Sequence, residues 1–504
     1  MSGHIFSPDE EILFRTTQNL VSRGKFSVEP IESGFGTKKG KDGKEYPQYG
    51  IGQPILAVPF YLFGKGLVGI FKNSFFNIEA LQKIDYSTSQ IAQSSIASED
   101  FRQRGFLRFG FSLFNSFIAG IIGVLLFIFL KELKFSDTTS IMTTYLYSLA
   151  TLALPHHRTF FTEPLASALL FSTFLCLFKG FKEPLNSKRR RFFLVLAGIS
   201  GGYALLTRTD SIVILMGCFF YITLSLLKTQ ESKVSYKENL KDLLAVIIPI
   251  FVFGSIILLL NYLRYGGILR TGYEDQPEGV KFSTPLLAGL YGFLFSVGKG
   301  MFFFSPPLIL ALFGIKRFFK IEKEVVSGIS LSIILFLIVM SKWQNWAGGW
   351  CWGPRHIFQI HILMAIFIAP TLEVLSEKIK RILFISFFLS GFMVQILGSS
   401  VSPIDYYYEF YRTPLEPPTV HSLYAQDELS VMGASYTILI NNDKGQPIGR
   451  IHPNTLQAPI NDSIYIPQNS QWYGYFTMLA MRRHDFFWLK LINNEVLIYM
   501  DVSK

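Results

Sequence analysis

The sequence predicts an all-α polytopic membrane protein, and three observations support that prediction. Of its 504 residues 50% are hydrophobic and only 16% are charged, whereas soluble domains carry roughly 25% charged residues. The mean hydropathy is +0.34. Apolar runs of roughly 20 residues, the length needed to cross a bilayer core about 30 Å thick, recur along the chain. We therefore expect one large membrane domain with extramembrane segments rather than several soluble domains.

Ten apolar runs are long enough to predict membrane helices. They cover residues 106–131, 138–155, 163–179, 191–207, 211–227, 242–262, 301–316, 325–341, 356–372 and 382–397. The 50 Phe and 23 Tyr residues also suit lipid contacts and membrane interfaces. The three cysteines are too few for a disulfide scaffold and form no Cys-x-x-Cys motif.

The charge of the connecting loops alternates along the chain. Five loops hold 19 Lys and Arg residues between them: 131–137, 179–191, 228–242, 316–324 and 373–382. The opposite set holds eight: 155–163, 208–210, 263–300 and 342–355. By the positive-inside rule the first set is cytoplasmic and the second faces outward. The net charge of +11 is thus a topology signal, which excludes nucleic acid as the expected partner.

This topology predicts three regions. Residues 1–105 form a first external loop with an acidic motif and interfacial helices, since 50–71 is apolar but broken by Gly, Pro and Lys65. Residues 106–397 are the transmembrane domain, and 398–504 are an extracytoplasmic tail with turn signals, a small α/β appendage. An external 1–105 needs either a first helix ahead of Met1 in a longer chain, which we favour, or an unusual route of entry.

Polar clusters gather on the outward side of this topology, whereas the helix centres are almost free of charge. A transporter would instead place ionisable groups inside helices near the midplane. We therefore expect chemistry at the outer membrane interface. The clusters are Ser7–Glu11, His156–Pro164, Arg208–Asp210, Asn261–Tyr273, Lys299 and Trp343–His356.

Several of these clusters have a structural alternative. Ser7, Pro8 and Glu10 fit a helix start with a capping box, whereas the functional interpretation makes Asp9 or Glu10 a general base at the membrane surface. Thr162-Glu163-Pro164 is likewise either a capped helix start or part of a site. Arg208 and Asp210 either neutralise one another in a tight turn or contribute to a polar site. His156 and His157 are expected at the interface, because no third residue has metal-ligand spacing.

The segment from Lys342 to His356 has the strongest functional signal. Four of the six tryptophans fall within ten residues, which an interfacial belt does not explain. The Gly-Gly and Gly-Pro pairs predict a loop of special backbone shape. Arg355 would then begin a helix, where backbone N–H groups and a guanidinium both favour a phosphate. Aromatic faces for a sugar or an isoprenoid chain would come from Trp343, Trp346, Trp350 and Trp352.

Together these pieces resemble the lipid-carrier-dependent glycosyltransferases of the GT-C fold, the group related to protein O-mannosyltransferases and the lipid A aminoarabinose transferase. The resemblance implies a GT-C-like bundle of about 10–12 transmembrane helices. It covers the first 400 residues or so and fades over the last hundred. The stretches that carry it, in order, are SPDEE (7–11), YPQYGIGQPILAVPFYLFG (46–64), RTFFTEPLA (158–166), LLTRTD (205–210), NYLRYGG through TGY (261–273), LYGFLFSVGKGMFFFSPP (290–307) and WQNWAGGWCWGPRH (343–356).

The resemblance implies an integral inner-membrane enzyme with its site on the periplasmic face. Its donor would be a polyprenyl-phosphate sugar, and its acceptor would be a lipid, a protein or a glycan. Membrane lipids would surround the protein. The essential acid of the first external loop maps to Asp9, with Glu10 beside it. The substrate-binding candidates are Arg158, Glu163, Arg208, Asp210, Arg264, Lys299, Trp343, Trp346, Trp350, Trp352, Arg355 and His356.

A simple mechanism follows from the chemistry of this donor. A lipid phosphate leaves as a stable anion, so it needs cationic stabilisation more than a proton donor. Asp9 or Glu10 would be the base, and Arg355, supported by Lys299 or Arg158, the phosphate clamp. No cofactor is required, and a divalent metal is left open. The alternatives are a flippase for lipid-linked saccharides and a catalytically inactive structural relative.

Overall fold

The computed structural model describes residues 5, 7–29, 36–71, 101–230, 236–274, 281–349, 351–401, 413–414, 438–441, 447–451 and 471–480. Within them the protein is mostly helical, with a few short strands. The all-α polytopic architecture predicted from the sequence is confirmed.

The first element shows the capping box that its sequence predicts. Helix α1 spans Pro8–Arg23; the Ser7 side chain accepts from the backbone N–H of Glu10, and the Glu10 carboxylate accepts from that of Ser7. The helix ends at Gly24, which takes a left-handed conformation (φ 63°) that suits glycine. Strands β1 (Thr37–Lys39) and β2 (Glu45–Pro47) follow as an antiparallel hairpin, with Lys38 opposite Tyr46.

Two short helices lead into the membrane domain. They are α2 (Gly52–Leu56) and α3 (Val58–Phe71), and α3 packs along α4. The further helices are α4 (Phe101–Glu132), α5 (Asp137–Ala150), α6 (Ala153–His156), α7 (Glu163–Lys182), α8 (Lys188–Thr207), α9 (Ser211–Gln230), α10 (Tyr236–Tyr265), α11 (Leu286–Phe295), α12 (Met301–Phe304), α13 (Ile309–Ile321), α14 (Lys323–Lys342), α15 (Phe358–Ala365), α16 (Ile368–Glu373) and α17 (Glu377–Ser400), with 3-10 turns at Pro306–Leu308 and Arg355–Ile357.

Seven helical segments among the described residues are long and apolar enough to cross a membrane, and each lies on one of the ten predicted runs. The protein is therefore an integral multi-pass membrane protein. The other three runs are helical but shorter or more polar. The run at 138–155 is divided between α5 and α6, the one at 301–316 is broken at Pro306–Leu308, and α8 opens with four basic residues.

The membrane helices differ sharply in how deeply they lie in the bundle. In the segment Arg355–Glu373, 94% of the most apolar stretch is buried inside the protein, whereas in Lys237–Tyr265 the buried share of that stretch is 6%. The first is thus the central segment of the bundle, and the second lies at its periphery. Around the centre, α7 packs on α8, α8 on α10, α9 on α14 and α5 on α17.

The C-terminal region contributes a small sheet and one further helix. Strands β3 (Thr413–Pro414), β4 (Ile438–Asn441) and β5 (Pro447–Ile451) form an antiparallel sheet in the order β3-β5-β4. Helix α18 (Gln471–Ala480) packs against α17. The apolar stretch 486–500, which we do not expect to span the membrane, lies outside the described residues.

Candidate active site

The centre of the candidate site is Arg355, at the start of the most buried segment of the bundle. Its Nη2 atom lies 2.9 Å from a carboxylate oxygen of Asp9, and its Nε atom lies 3.0 Å from Oε1 of Glu163. Asp9 stands in the first turn of α1, and Glu163 is the first residue of α7. A single guanidinium therefore joins three segments that are far apart in the sequence.

A second guanidinium extends this arrangement. Arg208 lies 2.8 Å from the same Glu163 oxygen and 2.7 Å from an oxygen of Asp210. We call Asp9, Arg355, Glu163, Arg208 and Asp210 the ion-pair chain; its three carboxylates and two guanidiniums leave one negative charge. Glu163 is fully buried, while the other four side chains keep 15–19% exposure. The ion-pair chain is thus anchored in the protein interior at Glu163, while its other side chains remain partly accessible to solvent or substrate.

The electrostatics favour charged groups here. Burial acts to lower the pKa of Arg208, but the carboxylates of Asp210 and Glu163 outweigh it and raise that pKa. The Glu163 Oε2 atom has no hydrogen-bond partner among the described residues, although it is buried. A buried acceptor of this kind costs free energy unless it is paired. The Oε2 atom of Glu163 is therefore available to accept a hydrogen bond from a hydroxyl or an amine.

Three neighbours of the ion-pair chain were not among the predicted site residues. The Tyr49 hydroxyl donates to Asp9 at 2.7 Å, Gln359 Nε2 lies 3.5 Å from Asp210, and Phe161 stacks under Arg355 at 4.0 Å. Burial, then the Asp9 charge, raises the pKa of Tyr49 well above its usual value, which keeps the phenol a donor. Tyr49 and Phe161 fall in the quoted family stretches, and Gln359 is one helical turn after Arg355, which could have identified them.

The remaining acids of the Ser7–Glu11 motif have other partners. Both carboxylate oxygens of Glu10 accept backbone N–H groups, one from Ser7 at 2.9 Å and the other from Phe160. Glu11 is held by Arg108 and Arg15 at 3.1 and 3.0 Å, and all three side chains are buried. Glu10 therefore caps and tethers α1, and Glu11 fastens it to α4.

Three predicted cationic residues make contacts with backbone carbonyls. Arg158 donates to Ser399 at the end of α17, and Arg264 donates to Pro47 at 3.4 Å and to Leu260 at 3.2 Å. Lys299 is fully buried, and its Nζ atom donates to the carbonyls of Cys351 at 2.7 Å and Gly349 at 3.2 Å. Burial lowers the pKa of Lys299, against the effect of Cys351. These contacts support the loops and strands around the ion-pair chain.

The tryptophan segment has the special backbone that its glycines predict, with positive φ at Gly348, Gly349 and Gly353. The Trp343 ring lies 4.5 Å from the imidazole of His356. Trp346 packs on Phe293 and Trp352 on Phe304 and Tyr475, and both are at most 7% exposed. Trp350 lies outside the described residues. Two of the four predicted stacking faces are therefore occupied by protein aromatics.

Within the part of the chain that the structure describes, no group of three His, Cys, Asp or Glu side chains could hold a metal ion. His156 and His157 are 2% and 5% exposed, and each imidazole contacts a backbone carbonyl, that of Trp352 or that of Ala153. Burial lowers the pKa of His156 to about 3 and that of His157 to about 4. Both are therefore neutral packing residues at ordinary pH.

Comparison with known proteins gives one family and several structures. Residues 96–263 match the family described as dolichyl-phosphate-mannose-protein mannosyltransferase. ArnT from Cupriavidus metallidurans in the apo state is similar, with 10% identity, a TM-score of 0.46, and coverage of 97% of this chain and 72% of that one. Its undecaprenyl phosphate-bound structure gives 12% identity and a TM-score of 0.44, again over 97% and 72% of the two chains.

An oligosaccharyltransferase from Archaeoglobus fulgidus, solved with zinc and sulfate, is also similar. It shows 12% identity and a TM-score of 0.46, over 78% of this chain and 49% of that one. No curated protein sequence matches the chain. The resemblance inferred from the motifs is thus confirmed for 96–263, a region that carries Glu163, Arg208 and Asp210. About a third of the chain, residues 96–263, matches the dolichyl-phosphate-mannose-protein mannosyltransferase family.

Proposed function

We propose that this protein transfers a sugar from a polyprenyl-phosphate-linked donor to an acceptor on the extracytoplasmic side of the membrane. The observation that carries this proposal is the position of Arg355, which joins Asp9 to Glu163 and keeps 15% exposure. A reachable guanidinium next to a carboxylate supplies the two groups that the reaction needs, a cation for the phosphate and a base for the acceptor.

The first role, binding of the donor phosphate, belongs to Arg355. A guanidinium binds phosphate oxygens through two parallel hydrogen bonds, and Arg355 is fixed by Glu163 and by the Phe161 ring beneath it. As the bond between the sugar C1 and the phosphate oxygen breaks, the electron pair stays on the lipid phosphate. Arg355 stabilises that developing anion, so the leaving group needs no proton.

The second role belongs to Asp9. The acceptor hydroxyl or amine attacks C1, and its proton passes to the Asp9 carboxylate. Donor phosphate competes with Asp9 for Arg355, so binding of the donor frees one oxygen of Asp9 while Tyr49 holds the other. We assign the base to Asp9 and not to Glu10, because both oxygens of Glu10 bind backbone N–H groups.

The other candidates have supporting roles in this proposal. Asp210 holds Arg208 beside the Glu163 carboxylate, and the Trp343 and His356 rings, whose centroids lie 4.5 Å apart, flank the sugar or lipid. Lys299 supports the loop that leads into Arg355 instead of binding phosphate directly. The excess of basic residues in the opposite loops supports the extracytoplasmic placement.

Substitution of Arg355 by Lys tests the phosphate role. Lysine keeps the charge but cannot bridge two oxygens in a plane, so we expect transfer from a polyprenyl-phosphate sugar to fall about 100-fold. The assay uses purified protein in proteoliposomes, and binding of undecaprenyl phosphate is measured separately. The exposed Arg23, which pairs with Glu29 at the far end of α1, gives the matched control Arg23→Lys. Equal activity of Arg355→Lys and Arg23→Lys would refute the assignment.

A further inference from the structure

The carbonyl of Cys351 is the meeting point of two buried side chains from distant parts of the chain. Lys299 Nζ lies 2.7 Å from it, and Gln471 Nε2 lies 2.8 Å from it. Both side chains are fully buried. A carbonyl oxygen has two lone pairs, so two donors use its full capacity, and this point of the backbone is held from both sides.

Gln471 also uses the other end of its amide. Its Oε1 atom accepts from the backbone N–H of Gly353 at 3.2 Å, so a single side chain binds the loop at two alternate residues. The contact joins positions 118 residues apart, and it lies two residues before Arg355. Gln471 therefore fixes the loop backbone that directly precedes Arg355.

We propose that Gln471, the first residue of α18, is a positioning residue for Arg355, so that the C-terminal region completes the active site. This proposal rests on the function proposed above. The side-chain amide of Gln471 binds the backbone at Cys351 and Gly353, so we infer that it acts on Arg355 through residues 351–353. Because a misplacement of about 1 Å can cost about 100-fold in rate, the position of this backbone matters for the guanidinium.

We call the two hydrogen bonds from Gln471 to Cys351 and Gly353 the clamp, and its surroundings leave it little freedom. Tyr475 of α18 is fully buried against Trp352, with ring centroids 4.5 Å apart. Gly353 takes φ +64°, and a Cβ atom there would lie 2.7 Å from Leu152. Gly398 lies closer still to the Trp352 ring, since a Cβ atom there would come within 2.3 Å of it. Helix α18 thus docks by aromatic packing, and its first residue reaches the loop.

A labelling experiment tests the clamp without any activity assay. Cys351 is 1% exposed, so N-ethylmaleimide should modify it slowly in a protein whose other cysteines, Cys176 and Cys218, are replaced by Ala. We expect Gln471→Leu, which keeps the bulk and removes both hydrogen bonds, to raise the labelling rate at least tenfold. Phe476→Ala on the exposed side of α18 is the matched control and should label at the parental rate. Equal rates for both variants would overturn the clamp.

Kinetics test whether the clamp acts through Arg355. We expect Gln471→Leu to lower kcat by about 10- to 100-fold, with KM for the lipid donor changed less than about threefold and the fold retained. Gln395→Leu removes another buried amide, whose Nε2 atom donates to Phe304, and should keep kcat within about twofold. In an Arg355→Lys background, Gln471→Leu should add less than about threefold, because both changes affect the same guanidinium.

The outcomes separate the two proposals. Additive effects of Gln471→Leu and Arg355→Lys, or an unchanged kcat in Gln471→Leu, would overturn the positioning role while the proposed function stands. If Arg355→Lys itself leaves transfer unchanged, the proposed function fails, and faster labelling of Cys351 in Gln471→Leu still establishes the clamp as a structural feature of the C-terminal region.

Discussion

Asp9 and Glu11 stand two residues apart in one turn of α1, and their surroundings differ completely. Asp9 is 15% exposed and shares Arg355 with Glu163, whereas Glu11 is 2% exposed and lies between Arg15 and Arg108. The Asp9 carboxylate is therefore one that a substrate can reach, whereas the Glu11 carboxylate is enclosed by the protein.

This difference shows how one acidic motif can serve both function and stability. A buried ion pair is strongly destabilising when one partner is removed, because a charge is left without compensation. Burial acts to raise the pKa of Glu11, but Arg108 and Arg15 outweigh it and lower that pKa, so Glu11 stays charged. Glu11 is therefore expected to govern folding, and Asp9 to govern turnover.

The largest effect should come from Asp9→Asn. Asparagine keeps the size of the side chain and removes the proton acceptor, so transfer should fall about 10²- to 10⁴-fold while folding and donor binding persist. Glycosyl transfer in membranes and separate donor binding measure this. Glu10→Gln is the control, since its carboxylate serves backbone N–H groups. Full activity in both amide variants would end the assignment and leave Glu163 or Asp210 as the next candidates.

Glu11→Gln should show the opposite pattern. Loss of its charge removes the buried carboxylate that binds both Arg15 and Arg108, so the free energy of unfolding should fall by about 3 kcal/mol, while kcat of the folded fraction stays normal. Denaturation in detergent measures the stability. The exposed Glu29, paired with Arg23, provides the control Glu29→Gln, which should cost less than about 1 kcal/mol. A loss of kcat with unchanged stability would invalidate the contrast between the two clusters.

The pH dependence of stability should follow His156 and His157, which are both buried. Their pKa values in the folded protein are about 3 and about 4, below the usual value of about 6.5. Since the unfolded chain binds more protons between these values, stability should fall as the pH drops from about 6.5 towards 4. Melting curves across this range measure it. His157→Gln should make the curve flatter, and an unchanged slope would contradict the assignment.

Ser7→Ala should have the smallest effect. It removes the side chain that accepts from the Glu10 N–H at the start of α1, and loss of an N-cap costs about 1 kcal/mol. Because Asp9 keeps Tyr49 and Arg355, transfer should stay within about twofold of normal. If Ser7→Ala lowers transfer as strongly as Asp9→Asn does, the motif acts only as a helix start.

Much of the fold could be predicted from the sequence, because a helix in a membrane satisfies its own backbone and shows its length in its composition. All ten apolar runs are helical, and the capping box at Ser7 and the unusual backbone at Gly348–Gly349 follow from local residue types. The ion-pair chain was predicted in part, since its five members all come from polar clusters that the loop charges predict to face outward. The contacts of Trp352 with Phe304 and Tyr475 could not be predicted, because these residues are far from it in the sequence.

By itself, then, the sequence determined the helices and their caps, because these depend on neighbouring residues. Only the tertiary structure decided which acid faces which cation. Asp9 and Arg355 are 346 residues apart, and nothing local distinguishes Asp9 from Glu11. Gln471 is the extreme case: an uncharged amide in a polar tail carries no sequence signal, and it shows its role only when packing brings its two hydrogen bonds to the loop before Arg355.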